Sequence, residues 1–118
     1  MGQLSELDDL IGAEVGSVAF VRDYVEINFD GPIVRSLSSP IINVGGADFR
    51  FPDAGSRDAL CELIGTSLEG VHESDAEIVL RFDAATLVIP KQGDTGAEIA
   101  HFVPFAEGRL MVEQMLIW

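Results

Sequence analysis

The chain is short of the residues that most simple chemistries need. It has one cysteine (Cys61), one lysine (Lys91), two histidines (His72 and His101), one tyrosine and one tryptophan. A lone cysteine excludes an internal disulfide and fits a reducing compartment, so a cytoplasmic location is expected. Only seven basic residues stand against twenty acidic ones, a formal charge of −13. That field repels phosphate backbones and anionic lipid, so no nucleic acid and no membrane surface is expected as a partner. No apolar run approaches the roughly 18–20 residues needed to cross a bilayer. No basic n-region leads into an apolar h-region, so a secretory signal is not expected either. The opening "MGQLSE" has Glu6 where a myristoylation site needs Ser or Thr. Phosphate-cradling G-x-G-x-x-G and G-x-x-x-x-G-K-[ST] loops are missing, as is a G-x-S-x-G elbow, and no cofactor is expected.

What the chain does have is material for a core. With 118 residues, 47% of them hydrophobic, it reads as a single domain, 1–118, able to bury roughly two-thirds of its unfolded surface. The acids run from Glu6 to Glu113 without a block, as the solvated faces of a folded domain do.

Period-two alternation dominates. "VGSVAFV" (15–21) and "YVEINF" (24–29) form a hairpin across Arg22-Asp23, with Val25, Ile27 and Phe29 on one side and Glu26 and Asn28 on the other. Asp30-Gly31-Pro32 turns the chain into a strand over 33–37. "IINV" (41–44) and "ADFRF" (47–51) flank Gly45-Gly46, both able to take positive φ. "GVHE" (70–73), "EIVLRF" (77–82) and "TLVI" (86–89) are further strands. Two helices interrupt them. A short N-terminal one is capped by Ser5 with Asp8, carries Leu4, Leu7, Leu10 and Ile11 on one face, and closes at Gly12. The main one, at about 56–64, is capped by Ser56, striped by Ala59, Leu60, Leu63 and Ile64, and ended by Gly65. "EIAHFV" (98–103) suits a strand, with a helix capped by Thr95 and Glu98 as the alternative. A turn at Glu107-Gly108 leads into a strand "RLMVEQ" (109–114), and "EQMLIW" closes the chain as another. The expected fold is α+β: an antiparallel β-rich domain, as a meander, a partly rolled sheet or a sandwich, around one main helix.

Two hairpins share a pattern, "VEINFDGPI" (25–33) and "IVLRFDAAT" (78–86). Alternation buries one face, the Phe anchors it and the Asp opens a tight turn. Two independent hairpins obeying one turn chemistry are the preferred explanation, with an internal duplication as the alternative.

Candidate chemistry is thin. "HESD" gathers His72, Glu73 and Asp75, and Glu98 with His101 makes a single E-x-x-H, where a di-iron bundle needs two copies and further glutamates. Cys61 lies beside the helix stripe with no flanking base to lower its pKa, and becomes a nucleophile only if a histidine meets it in space. What remains is surface. Arg22, Asp23 and Tyr24 crowd the first hairpin, and Phe102, Phe105, Met115 and Trp118 enrich the C-terminal third in types that anchor interfaces.

The run "IGAEVGSVAFVRDYVEINFDG" has a Gly, spaced valines and a Tyr-led strand ending in Phe-Asp-Gly. Together with the L-x-F-D hairpin at Leu80, Phe82 and Asp83 and the terminal Leu116-x-Trp118, it resembles a small bacterial domain-of-unknown-function family. Ala84 departs from the pattern where the second turn would carry Gly. The resemblance implies a β-rich fold with no assigned activity, and some relatives are similar to immunity proteins of toxin systems. Three expectations follow. One is a non-enzymatic module whose carboxylates steer a basic protein partner; another is a homodimer through the C-terminal strand. The last is a small ligand-binding or metal-dependent enzyme domain using His72, His101 or Cys61.

Overall fold

The computed structural model describes residues 7–22, 24–91, 99–106 and 108–118. Alternation delivers antiparallel strands: β1 (Ser17–Val21), β2 (Tyr24–Asn28), β3 (Ile33–Ser36), β4 (Ile41–Val44) and β5 (Ala47–Arg50) precede helix α1 (Ser56–Cys61). After it come β6 (Leu68–Glu73), β7 (Glu77–Phe82), β8 (Ala85–Pro90) and β9 (Ala100–Val103). A small hairpin, β10 (Phe105–Ala106) with β11 (Arg109–Leu110), a 3₁₀ turn (Val112–Gln114) and β12 (Leu116–Ile117) complete the chain.

The strands build two five-stranded sheets, ordered β1-β2-β3-β9-β12 and β5-β4-β8-β7-β6. The alternating apolar positions point into one core that both sheets share. Val25, Ile27, Phe29, Val34 and Phe102 come from the first, and Ile42, Ile78, Leu80, Phe82, Leu87 and Ile89 from the second. Phe29 and Phe82, the anchors of the two similar hairpins, stack on each other with centroids 6.4 Å apart. Gly45 and Gly46 take φ of 60° and 85°, the positive pair a two-residue hairpin turn requires.

Several boundaries differ from the sequence reading. The main helix stops at Cys61, and bonds of three-residue spacing continue it as turns: Glu62 N–H to Ala59 O, Leu63 N–H to Leu60 O, Ile64 N–H to Cys61 O. Its N-cap is Gly55, not Ser56; the Ser56 hydroxyl instead donates to Asp53 O at 2.7 Å. Ile64 leaves the stripe, 46% exposed, and Ile11 does the same at 47%. Tightening the last turn rotates each isoleucine away from the face its spacing predicts. "RLMVEQ" is a strand only over Arg109–Leu110, because Val112–Gln114 winds into the 3₁₀ turn. In the "EIAHFV" stretch the strand occupies Ala100–Val103. Leu4 of the expected N-terminal helix face, Ser5 of its cap, and Thr95 and Glu98 of the alternative helix cap lie outside the described residues.

The C-terminal tail closes on its own chain. Leu116 and Ile117 pair with Phe102 and His101 of β9, Trp118 N–H donates to Ala100 O, and its indole Nε1–H donates to Glu73 Oε2 at 3.1 Å. Glu73 sits in the other sheet, so the tail ties the two sheets together.

Candidate functional site

A groove lies between α1 and the β4–β5 hairpin, about 350 Å³ in volume, lined by Val44, Ala47, Phe49, Gly55, Asp58, Ala59 and Glu62. Its geometry follows from a short helix placed against a hairpin. Ala59, Leu60 and Leu63 turn into the core, which leaves Asp58 and Glu62, four residues apart and therefore neighbours on one helix face, exposed along one wall. Val44 and Phe49 are half-buried and make the apolar floor. Gly55 lets the loop before α1 lie close to the groove: its φ is 87°, and a Cβ there would come within 3.1 Å of the Phe49 ring. The helix's own cation faces elsewhere, since Arg57 stacks over Phe51 at 5.1 Å and Phe20 at 5.8 Å. The groove thus offers two carboxylates beside aliphatic and aromatic surface, with no base on its lining. Such a lining is complementary in charge and polarity to a cation on an apolar stem, such as a lysine or arginine side chain.

The outer face of the first sheet carries a polar row. Register places Glu26 opposite Arg35, and Arg35 opposite His101. Arg35 Nε–H donates to Glu26 Oε2 at 2.8 Å, and Arg35 Nη1 lies 2.9 Å from His101 Nδ1. A guanidinium only donates, so His101 Nδ1 is the accepting atom of this contact. The guanidinium also covers the Tyr24 ring, 5.9 Å from its centroid. The corresponding outward positions of the second sheet, Val79, Val88 and Ile41, are half-buried aliphatics.

The residues singled out from sequence do not form one site. His101 belongs to this row, whereas His72 is exposed on the outer face of the opposite sheet, across from Val79. Cys61 is exposed on α1. Glu73 accepts from Lys91 Nζ at 2.6 Å as well as from Trp118, and Asp75 is exposed. No group of three or more His, Cys, Asp or Glu residues among the described ones is placed to hold a metal ion. Of the expected partner surface, Phe102 lies in the core at 4% exposure. Its Phe ring follows the inward alternation of β9. Tyr24 is held under Arg35 at the β1–β2 end of the first sheet, Arg22 is exposed in that turn, and Asp23 is outside the described residues. Phe105 is exposed at the far end, over Gly31; Met115 and Trp118 are half-buried. Around Phe105 the small hairpin and the segment after it expose Leu110, Val112 and Ile117 too. There Arg109 bridges Glu113 at 2.9 Å, and this hydrogen bond holds the Glu113 carboxyl below its ordinary pKa.

Sequence reasoning missed Val44, Ala47, Phe49, Ala59 and Glu62 as a group. The available signal was Asp58 with Glu62 at i, i+4 beside a small residue on a helix.

No protein-family model matches the chain, and no similar curated protein or solved structure is found. Among the described residues the architecture is two five-stranded antiparallel sheets and a two-stranded hairpin, with helix α1 packed against them.

Proposed function

We propose that this chain is a non-enzymatic binding module for a basic protein, in the manner of a cytoplasmic immunity protein, and that the α1–β4–β5 groove receives a basic side chain of that partner. The observation that carries this reading is the pairing of Asp58 and Glu62 with the apolar floor of Val44, Ala47 and Phe49. A lysine or arginine entering it sets its methylenes on Phe49 and its charge against the carboxylates. The formal charge of −13 supports it by drawing a cationic partner in from a distance. Among the described residues, three of the bases are also engaged within the chain, as Arg35–Glu26, Lys91–Glu73 and Arg109–Glu113, which leaves the acidic excess for solvent and partner.

A peptide alternating lysine with leucine is the probe. Titrated into the labelled protein, it should shift the amide resonances of Val44, Ala47, Phe49 and Glu62. The double variant Asp58→Asn/Glu62→Gln should weaken binding by roughly 3–10-fold, the range expected for two solvent-accessible ion pairs. Shifts confined to another face, or equal affinity in the double variant, would sink the assignment.

A further inference from the structure

The two sheets are copies of each other. In the β1–β2 hairpin Ser17 pairs with Asn28 and Val18 with Ile27; in β6–β7 Gly70 pairs with Arg81 and Val71 with Leu80. Each position in the second set is 53 residues after its counterpart. The same offset of 53 relates Val25–Ser36 and Ile27–Val34 of β2–β3 to Ile78–Ile89 and Leu80–Leu87 of β7–β8. Beyond these meanders the chain exchanges sides: β4 leaves β3 to pair with β8, and β9 leaves β8 to pair with β3. Then β5 flanks β4 as β12 flanks β9.

The junction between the halves obeys the same relation. Gly12 N–H donates to Leu68 O and Gly65 N–H to Val15 O, both at 2.8 Å; Val15 N–H donates to Thr66 O and Leu68 N–H to Ala13 O, both at 2.9 Å. Each bond maps onto the other in its pair when 53 is added to one half and subtracted from the other. The isolated bridge Glu14–Ser67 joins two counterparts, so it lies on the two-fold axis. Gly12 and Gly65 share positive φ, 96° and 87°, and Ile11 and Ile64 share their unusual exposure. At this offset Leu7, Leu10, Ile11, Gly12, Val18, Phe29 and Asp30 recur unchanged as Leu60, Leu63, Ile64, Gly65, Val71, Phe82 and Asp83. The last strands keep the relation with larger offsets: Phe51 N–H bonds Pro40 O as Trp118 N–H bonds Ala100 O, each at 2.9 Å. Turn chemistry explains a shared Phe-Asp, but not a two-fold set of bonds between the halves.

We infer that the chain is a tandem duplication, and that the contact between its halves is the dimer interface of the single unit. The partner that each half fits is a second copy of the same unit. Every strand exchange that closes the fold, β4 onto β8 and β9 onto β3, is then an exchange between subunits.

The test inserts a protease site between Pro52 and Asp53, both exposed, and cuts the folded protein there. The two fragments should stay associated at the mass of the uncut chain. After unfolding in urea and refolding, native mass spectrometry should detect homodimers of each fragment beside the one-to-one pair. Recovery of the one-to-one pair alone, or separation into unfolded fragments, overturns the inference. A circular permutant opened at the same bond provides an independent check. Joining Trp118 to Met1 through two added residues gives Trp118-to-Leu7 the same nine steps as Phe51-to-Leu60. It should keep the far-UV circular dichroism of the parent, and an unfolded permutant would count against a two-fold unit.

Discussion

At the residue scale, the core is pinned where counterparts meet. Phe29 and Phe82 stack across the sheets with an interplanar angle of 9°, so truncating one ring opens a cavity that the other half cannot refill. Phe82→Ala should cost about 3–5 kcal/mol, read from urea unfolding. Trp118 is a different case. It takes in its own half the place Phe51 holds in the other, but Phe51 is fully buried against Phe20, whereas Trp118 faces Glu73, the counterpart of Phe20. A half-buried indole with a hydrogen bond to a carboxylate loses little when replaced by an apolar ring. Trp118→Phe should cost about 1–2 kcal/mol, and Glu73→Gln in the same background should cost less than it does alone, because the shared bond is already gone. Additive effects in that double-variant cycle would show that the 3.1 Å contact contributes nothing.

At the element scale, strands were the legible part of the sequence, and helix ends were not. β4 and β7 occupy the very residues that alternation assigns them, since period two needs only one buried face to declare itself. The tail was harder: "EQMLIW" is apolar at consecutive positions, and only two of its residues join the ladder. The helix stripe failed at Ile64 because periodicity presumes a continuing α-helix, and this one tightens after Cys61. That difference is measurable. Leu63→Ala removes a fully buried side chain and should lower stability by about 2–5 kcal/mol. Ile64→Lys, one residue on, should change it by no more than about 0.5 kcal/mol. The groove stayed hidden for a related reason. Its floor comes from a hairpin and its wall from a helix, and no local pattern joins the two. The duplication was half visible. The shared Phe-Asp hairpins are plain in the sequence, yet the tripeptide Leu-Ile-Gly at 10–12 and 63–65 lies outside them, and two seven-residue insertions in the second half break the offset before its end.

At the scale of the whole molecule, exchange of strands couples the halves. Each sheet contains the meander of one half and the last strands of the other, and all feed one core. Neither half therefore has a complete sheet, or a closed apolar face, once the other has unfolded. A pair of beads-on-a-string repeats would open one at a time; here losing either half strips β3 or β8 of its inner neighbour and exposes Phe29 or Phe82. The chain should unfold as one cooperative unit despite its two-part origin. The single tryptophan makes this easy to check, because Trp118 reports from the second half alone while far-UV circular dichroism reports from every strand. In urea the two signals should trace one transition, with a common midpoint and an m-value of about 1–1.5 kcal/mol/M. A fluorescence transition preceding the loss of β-structure would mean that the second half lets go first, and that the exchanged strands do not bind the two halves into one folding unit.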